Sequence, residues 1–164
     1  TGSGKTTTAY ALLQEVARHP LKILTIEDPV EADLPGVTQS AVQEAAGWSF
    51  ERALRAFLRQ DPDILFLGEI RDGPSATAAC RAALTGHSVL ATLHATDAAS
   101  ALQRLAAWNQ PEGLIADTVV WILNQRLLPP TAQHRQRARF TAKRTQPEQI
   151  LAFFRNGTQG TNWP

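Results

Sequence analysis

Thr1-Gly2-Ser3-Gly4-Lys5-Thr6-Thr7-Thr8 opens the 164-residue chain, and this stretch decides the fold class. Its central part matches the last three positions of the phosphate-binding loop pattern G-x-x-x-x-G-K-[ST]. Glycines let backbone N–H groups close around phosphate oxygens, because they carry no Cβ that would obstruct the approach. We predict that the phosphates of a nucleotide are bound by consecutive residues of this stretch: Gly2, Ser3, Gly4, Lys5, Thr6 and Thr7. The alternative is a Gly/Ser linker before a helix.

Two side chains of this loop have predicted roles of their own. Lys5 would reach the β- and γ-phosphates as a compact positive charge, and the Thr6 hydroxyl would ligate Mg²⁺. The first glycine of the pattern would lie two residues before Thr1, so we expect a preceding segment with the strand that feeds the loop. The absence of methionine agrees with that expectation. The chain alone is expected to bind ATP weakly and not to hydrolyse it.

Composition narrows the class of protein. The length suits one domain of ordinary size. The net charge of +1 gives no electrostatic indication of a nucleic-acid partner, and none is predicted. The single cysteine, Cys80, excludes an internal disulfide and suits a reducing compartment, and we expect its thiol to be packed. No apolar run approaches the ~20 residues of a membrane span.

Strand and helix patterns alternate along the chain. The predicted strands are Lys22–Ile26, Val37–Val42, Ile64–Leu67 and Val89–Leu93. The predicted helices are Thr6–Ala17, a helix from an N-cap at Ser49 to about Arg59, Ser75–Leu84, Ala98–Trp108 and Glu112–Leu128. Continuous apolar strands suit a parallel sheet that is covered on both faces. The pattern predicts an α/β fold with a mostly parallel central sheet flanked by helices and lacking its N-terminal feeding strand.

Polar residues collect where three of these strands end. The sequences are Glu27-Asp28 after the first, Glu69-Ile70-Arg71-Asp72 after the third and His94-Ala95-Thr96-Asp97 after the fourth. Open parallel sheets bind ligands outside the carboxyl ends of their strands. Together with the phosphate loop, these residues predict one functional rim. Each cluster by itself would also be consistent with a helix cap or a surface turn.

The chemistry of these residues suits ATP hydrolysis. A carboxylate must orient the attacking water and take its proton, and Glu69 is the candidate because it ends an apolar strand. The usual Walker B motif has Asp before this Glu, whereas this chain has Gly68. The missing carboxylate could come from Glu27 or Asp28, which would bind Mg²⁺ directly or through its water shell.

Three further residues have two interpretations each. His94 could donate a hydrogen bond to the γ-phosphate, or it could be a core histidine with satisfied hydrogen bonds. Arg71 could contact nucleotide, or it could pair with Asp72 or Glu69. His87 follows Gly86 at a helix–strand turn, where a nucleotide contact and a structural role are equally open.

These clusters resemble, in their order, the secretion ATPases of type II secretion and type IV pilus machines. The matching segments are Gly2-Ser-Gly-Lys-Thr-Thr-Thr8 for Walker A, Thr25-Ile-Glu-Asp-Pro-Val-Glu31 for the Asp box, Leu58-Arg-Gln-Asp-Pro-Asp-Ile-Leu-Phe-Leu-Gly-Glu-Ile-Arg-Asp72 for Walker B, Leu84-Thr-Gly-His-Ser-Val-Leu-Ala-Thr-Leu-His94 for the His box, and Asn124-Gln-Arg-Leu127. The resemblance covers about residues 1–128, which we interpret as a RecA-like ATPase core. Two departures from the family are Ala95-Thr96 after His94 and Phe66 in a usually aliphatic position.

The resemblance implies a RecA-like motor domain in a homo-hexameric ring that binds ATP and Mg²⁺. The ring would lie in the cytoplasm, peripheral to the inner membrane, on a platform protein, and would drive pilin or pseudopilin assembly. It implies that Glu69 is the general base, that Glu27 positions Mg²⁺ and water, and that His94 contacts the γ-phosphate. Asp28, Arg71 and His87 complete the nucleotide-binding candidates.

Several alternatives to an assembly motor stay open. One cysteine cannot build the Cys₄ zinc module that assembly ATPases of the family often carry. The chain therefore resembles either a retraction motor or a reduced motor of the assembly or competence type. The residues of its Asp box and Walker B segment favour assembly. An inactive ring component or relic, and a small-molecule kinase that shares the loop, are the remaining hypotheses.

Residues 129–164 are predicted to form a basic C-terminal extension, since residues 131–164 hold six Lys and Arg against one acidic residue. Pro129-Pro130 is expected to break the preceding helix. Residues 133–144 could contact anionic lipid, although a solvated surface strand or loop is the favoured interpretation. Thr145-Gln-Pro-Glu148 is interpreted as a capping box that opens a short helix ending near Asn156-Gly157, and residues 160–164 as a frayed tail.

Overall fold

The structure, a computed structural model, describes residues 2–130 and 137–155. The chain divides into two compact units, which are described separately. Residues 6–93 form the sheet unit, and residues 1–5 with 94–164 form the hairpin unit. The predicted division at residue 128 stays a prediction.

The sheet unit contains a four-stranded, fully parallel sheet. Its strands are β1 (Ile23–Glu27), β2 (Thr38–Ala41), β3 (Ile64–Leu67) and β4 (Ser88–Ala91), in the order β2-β1-β3-β4. The helices are α1 (Lys5–Val16, of which Lys5 belongs to the other unit), α2 (Phe50–Leu58) and α3 (Gly73–Leu84). The predicted α/β class and parallel sheet are confirmed. β4 is only half-buried, contrary to the expectation of cover on both faces, because it lies at the edge of this sheet.

The core of this unit lies between α1 and the central strands. All five residues of β1 are buried, and Ala9, Tyr10 and Leu13 of α1 pack with Ile23 and Phe66. Each buried Leu, Ile or Phe contributes about 1.5–3 kcal/mol through removal of apolar surface from water. Phe66, the aromatic departure in Walker B, is fully buried and meets the Tyr10 ring edge-to-face with centroids 6.3 Å apart. The aromatic side chain at position 66 therefore packs against the aromatic ring of Tyr10 on α1.

Side-chain caps set where two helices begin. Ser49 accepts a hydrogen bond from the Arg52 amide at 3.2 Å, which confirms the predicted N-cap of α2. Helix α3 begins at Gly73, two residues before the prediction, because Asp72 accepts from the Ser75 amide at 2.8 Å and forms a capping box with Ser75. Cys80 is buried in α3, as expected for a packed thiol.

Over its described residues, the hairpin unit consists of three helices and an antiparallel pair of strands. Its elements are α4 (Ala98–Ala107), α5 (Glu112–Thr118), β5 (Trp121–Leu128), β6 (Arg137–Arg144) and α6 (Pro147–Arg155). The prediction of one helix over Glu112–Leu128 was wrong, because α5 stops at Thr118 and β5 follows. Thr118-Val119-Val120 is a β-branched run that disfavours helix, and β5 pairs with β6 over eight residue pairs. Pro129-Pro130 accordingly follows a strand and not a helix.

The C-terminal predictions are met in part. Residues 137–144 form the largely exposed strand β6, in agreement with the surface-strand interpretation, while residues 133–136 lie outside the described residues. The capping-box prediction was wrong in its residues, because the Thr145 hydroxyl donates to the Val119 carbonyl. The Gln146 amide donates instead to Gln149 Oε1 at 3.2 Å, and α6 begins at Pro147. The predicted helix end at 156–157 and the tail at 160–164 also lie outside the described residues.

Candidate functional site

The carboxylate of Glu27, the last residue of β1, is buried in a network of side-chain donors. Glu27 is only 3% exposed. Its Oε1 accepts from the Thr25 hydroxyl at 2.6 Å and from Gln39 Nε2 at 3.0 Å, and its Oε2 accepts from the Tyr10 hydroxyl. A carboxylate has about four acceptor positions, two on each oxygen. These bonds fill both positions on Oε1 and one on Oε2, so they fix the orientation of the group and leave one position on Oε2.

Tyr10 connects the helix that follows the phosphate loop to this carboxylate. Its hydroxyl donates to Glu27 and accepts from the Glu31 amide at 3.1 Å. Burial and then the hydrogen bond to Glu27 raise the pKa of the Tyr10 phenol. Thr6 stands four residues before Tyr10 on α1, and residues with that spacing share one face of a helix. The Thr6 hydroxyl, the predicted Mg²⁺ ligand, therefore projects from the face of α1 that carries the Glu27 contact.

Gly68, which replaces the usual Walker B aspartate, is closely covered by β1. A Cβ added there would lie 3.2 Å from both Glu27 Cα and the Ile26 carbonyl oxygen, and 3.4 Å from Glu27 Cγ. The Gly68 amide also donates to that carbonyl at 2.8 Å. A Cβ there would require β1 to give way by a few tenths of an ångström, so the glycine allows the backbone of Glu27 to lie this close to β3.

Arg71 joins the polar residues that follow β1 and β3. Its Nε bonds Glu69 Oε2 at 2.6 Å, and its Nη1 bonds Asp28 Oδ2 at 2.7 Å. The hydrogen bond to Glu69 is the main cause that raises the pKa of the guanidinium. The interpretation that Arg71 pairs with Glu69 agrees with this geometry, whereas Asp72 caps α3. The contact with Asp28 is an exposed ion pair, which is worth about 0–1 kcal/mol and can rearrange at little cost, whereas the Glu69 side chain is largely covered.

In the hairpin unit, the phosphate loop contacts His94 and the hairpin. Lys5 Nζ lies 3.5 Å from His94 Nδ1. Gly4 has a φ of +79°, and a Cβ added there would meet Gln125 Nε2 at 2.9 Å. Gln125 donates through that nitrogen to the Ser3 carbonyl at 2.6 Å. The loop therefore requires glycine at position 4 for its backbone angle, and the absence of a Cβ also leaves room for the flexible end of Gln125.

His87 lies at the end of α3, within the sheet unit. Its Nδ1 is 3.2 Å from the Ala82 carbonyl and 3.2 Å from the Thr85 hydroxyl. These contacts support the structural interpretation of His87, and its role in nucleotide binding stays a prediction. Gly2 and Thr7, the outer residues of the predicted phosphate site, are exposed.

The sequence alone did not indicate four of the residues that contact the Glu27 carboxylate or the phosphate loop. Tyr10, Thr25 and Gln39 carry neutral side chains that were assigned to a helix or to strands. Gln125 lies in the segment Asn124–Leu127, whose resemblance to the family implies no role for this side chain. A spacing of two between Thr25 and Glu27 was the one available signal, because alternate residues of a strand share a face.

The described residues hold no group of three or more His, Cys, Asp or Glu side chains that could form a metal site by themselves. Mg²⁺ is usually held by one or two carboxylates together with substrate phosphates, and it keeps several waters. Thr6 and the remaining acceptor position of Glu27 fit that mode of binding. Over residues 2–130 and 137–155, every helix is too short or too polar to cross a bilayer.

Comparison with known proteins gives consistent results. The family model described as type II/IV secretion system protein matches residues 1–161. The chain is 51% identical to the type II secretion system protein HxcR of Pseudomonas aeruginosa and 48% identical to the type IV pilus assembly ATPase PilB of Thermus thermophilus. Each match covers 82% of this chain, but only 29% of HxcR and 15% of PilB. The solved structure of the pilus retraction motor PilT with bound ADP matches with a TM-score of 0.79 and 29% identity, over 94% of this chain and 48% of that one.

Proposed function

The chain belongs to the type II/IV secretion system protein family, and on that premise we propose that it hydrolyses ATP as part of a hexameric motor that assembles pilin-like subunits. Its fold is of the RecA-like P-loop type, and the family is a group of secretion and pilus ATPases. The family implies nucleotide binding, and ADP is bound in the similar PilT structure.

The observation that carries the proposal is the close contact between Gly68 and Glu27. A glycine at the Walker B aspartate position would leave an ATPase short of one carboxylate. Here the missing Cβ lets the backbone of the neighbouring strand lie close, and that strand carries the buried, oriented carboxylate of Glu27. Glu69 directly follows that glycine, so the proposed general base and the proposed metal-positioning carboxylate stand at the ends of two paired strands. A base beside a metal-positioning carboxylate suits the hydrolysis of a phosphoanhydride and so supports the proposal.

Each residue has a role in the proposed reaction. Lys5 and the backbone N–H groups of the loop hold the phosphates, and Glu69 takes the proton of the attacking water. Arg71 must release the Glu69 carboxylate, or move with it, so that Glu69 can reach the attacking water. His94, next to Lys5, is suited to contact the γ-phosphate. Thr6 and Glu27 would hold Mg²⁺, which neutralises negative charge on the phosphate oxygens when it is bound.

The relatives favour assembly over retraction. The matched proteins with 51% and 48% identity are named for type II secretion and for pilus assembly, whereas the retraction motor PilT is 29% identical. We accordingly propose a cytoplasmic ring that acts at an inner-membrane platform protein. A retraction motor of the same family is the alternative, supported by the match to the PilT fold. An inactive ring component is disfavoured, because Lys5, Thr6 and Glu69 are all present.

The test is ATP hydrolysis by the full-length protein as a function of Mg²⁺ concentration. Glu69→Gln should lower the maximal rate by ~10²-fold or more while nucleotide binding stays near normal, since a general base contributes about that much. Glu27→Gln should instead raise the Mg²⁺ concentration that gives half-maximal hydrolysis. The same measurement on Asp28→Asn shows whether the neighbouring exposed carboxylate contributes to Mg²⁺ binding. Near-normal hydrolysis by Glu69→Gln would assign the base to another residue. Unchanged Mg²⁺ dependence in both Asp-box variants would remove the metal role from that segment.

A further inference from the structure

A cavity of about 430 Å³ lies in the hairpin unit, between the start of α4 and one face of the β5–β6 pair. Its polar lining comes from Thr96 and Asp97 before α4, and from Asn124, Arg126, Arg139, Thr141 and Lys143 on the strands. Small-molecule sites typically have volumes of about 300–1,000 Å³. The cavity is therefore large enough for a small ligand, and three of its lining side chains are cationic.

The register of the hairpin places two of these cations directly opposite each other. Arg126 pairs with Arg139 across the strands, so both side chains lie on the same face. Lys143, paired with Ile122, lies four residues along β6 on that face. Directly opposed like charges destabilise a pair of strands. Positions that break a local rule of this kind are expected to be functional, because a bound partner can offset the cost.

The described lining offers little negative charge to offset these cations. Asp97 is the one carboxylate among the lining residues. It accepts from the Ser100 amide at 2.8 Å as the N-cap of α4, and it also accepts from the Thr96 hydroxyl at 3.3 Å. The hydrogen bonds from Ser100, followed by smaller effects that include the charge of Arg126, lower the pKa of Asp97. Asp97 is thus engaged in capping, and it is the one carboxylate in a lining that holds three cationic side chains.

The cavity lies on the opposite face of β5 from the phosphate loop. Gln125 points to the loop and donates to the Ser3 carbonyl. Its neighbours point to the other face, where Asn124 donates to the Thr96 carbonyl at 2.8 Å and Arg126 approaches the same oxygen at 3.4 Å. A ligand in the cavity would therefore be separate from the phosphates held by Lys5, while it contacts residues adjacent to Gln125.

We propose that this cavity is a second anion site, which binds a phosphate group through Arg126 and Arg139. Guanidinium groups bind phosphate through two parallel hydrogen bonds, and a pair of them suits a group with two negative charges. The phosphate belongs either to a free phosphorylated small molecule or to the headgroup of an anionic phospholipid. The proposal does not depend on ATP hydrolysis.

Binding is tested with sodium pyrophosphate and the 164-residue chain in a Lys5→Ala background, which removes the main cation of the phosphate loop. Isothermal titration measures affinity, and ¹⁵N–¹H spectra show whether the amides of Thr96–Ala99 and β6 shift. Arg139→Gln should weaken pyrophosphate binding about tenfold or more, the usual effect of losing a charge-assisted hydrogen-bonded pair. Pyrophosphate should also raise the melting temperature more than sodium chloride of equal ionic strength, and Arg139→Gln should abolish the difference.

Arg144→Gln is the matched control, because Arg144 lies on the same strand but on the opposite face, across from Trp121. It removes the same charge and should leave the affinity within about twofold, as expected for a surface substitution remote from the ligand. Vesicles of phosphatidylglycerol, with phosphatidylcholine vesicles as reference, provide the second arm in a sedimentation assay. If Arg139→Gln weakens the binding of pyrophosphate, the ligand is a free phosphorylated molecule. If it weakens only the binding of vesicles, the ligand is a phospholipid headgroup. The proposal is overturned if neither depends on Arg139, or if Arg144→Gln weakens binding equally.

Discussion

The hydroxyl of Tyr10 is the support of Glu27 that can be removed with the least change in shape. Tyr10→Phe keeps the ring, and with it the edge-to-face contact to Phe66. It deletes the donor to Glu27 Oε2 and the acceptor of the Glu31 amide. We expect the variant to fold with lower stability and with a less constrained Glu27 carboxylate.

The magnitude follows from burial and charge. Tyr10 is 8% exposed and Glu27 is 3% exposed, so water cannot easily replace the lost donor. Hydrogen bonds to charged groups contribute about 1.5–3 kcal/mol, and we expect a loss of about 2 kcal/mol in the free energy of unfolding. For a domain of this size, each kcal/mol lowers the melting temperature by about 2–4 °C, which gives a decrease of about 4–8 °C.

The assay is urea denaturation of four proteins: the parent chain, Tyr10→Phe, Glu27→Ala and the double variant. In the Glu27→Ala background the hydroxyl has lost its charged acceptor, so Tyr10→Phe should cost less than about 0.5 kcal/mol there. An equal cost in both backgrounds would show that the hydroxyl does not act through Glu27. This result would refute the network described for the end of β1.

Titration of the phenol provides an independent readout, because Tyr10 is the one tyrosine of the sequence. Burial and the bond to Glu27 raise its pKa above the ordinary value of 10.0. The stability from this group is complete below pH 10 and is lost as the pH rises through the higher, folded-state pKa. Ultraviolet absorbance should show ionisation above pH 10 in the folded chain and near pH 10 in urea. Coincident titrations would contradict the burial of the phenol.

Two further predictions concern backbone contacts and helix capping. Gly68→Ala should destabilise the chain by about 1–3 kcal/mol in urea denaturation, because its Cβ would crowd Glu27 and Ile26 at 3.2 Å. Gly113→Ala, at a helical site with open space, is the control and should be neutral or stabilising by up to about 1 kcal/mol. Equal losses of stability in the two variants would argue against the close approach of β1 to Gly68. Asp72→Ala should cost about 1 kcal/mol at pH 7 through loss of the α3 cap. Since the cap lowers the pKa of Asp72 below the ordinary value of 3.8, that difference should decrease as the pH falls through the folded-state pKa, and a difference that does not change with pH would exclude the carboxylate charge as its cause.

Patterns within short segments of sequence were sufficient for the order and type of the elements in the sheet unit. The phosphate loop requires Gly, Lys and Thr at fixed spacing, and buried parallel strands appear as continuous apolar runs, so both are visible without tertiary information. Ile64–Leu67 was predicted with its observed bounds, and the carboxylates Glu27 and Glu69 were placed at strand ends because parallel strands end at one edge. The family was identified from these same motifs and is confirmed.

The structure was needed where a residue depends on a partner far along the chain. Trp121–Leu128 contains leucine, glutamine and arginine, which favour helix locally, and only pairing with β6 makes the segment a strand. That pairing in turn sets Arg126 against Arg139, which no spacing within either segment could indicate.

The sequence by itself determined which chemical groups this protein has at its strand ends, because those groups are specified by residue type and local order. Only the tertiary structure decided how Glu27 is held. Its three donors come from α1, β1 and β2, and their neutral side chains have no functional signature in the sequence. Their convergence depends on the packing of α1 on the sheet and on the register of β2 beside β1, which are set by the folded core as a whole.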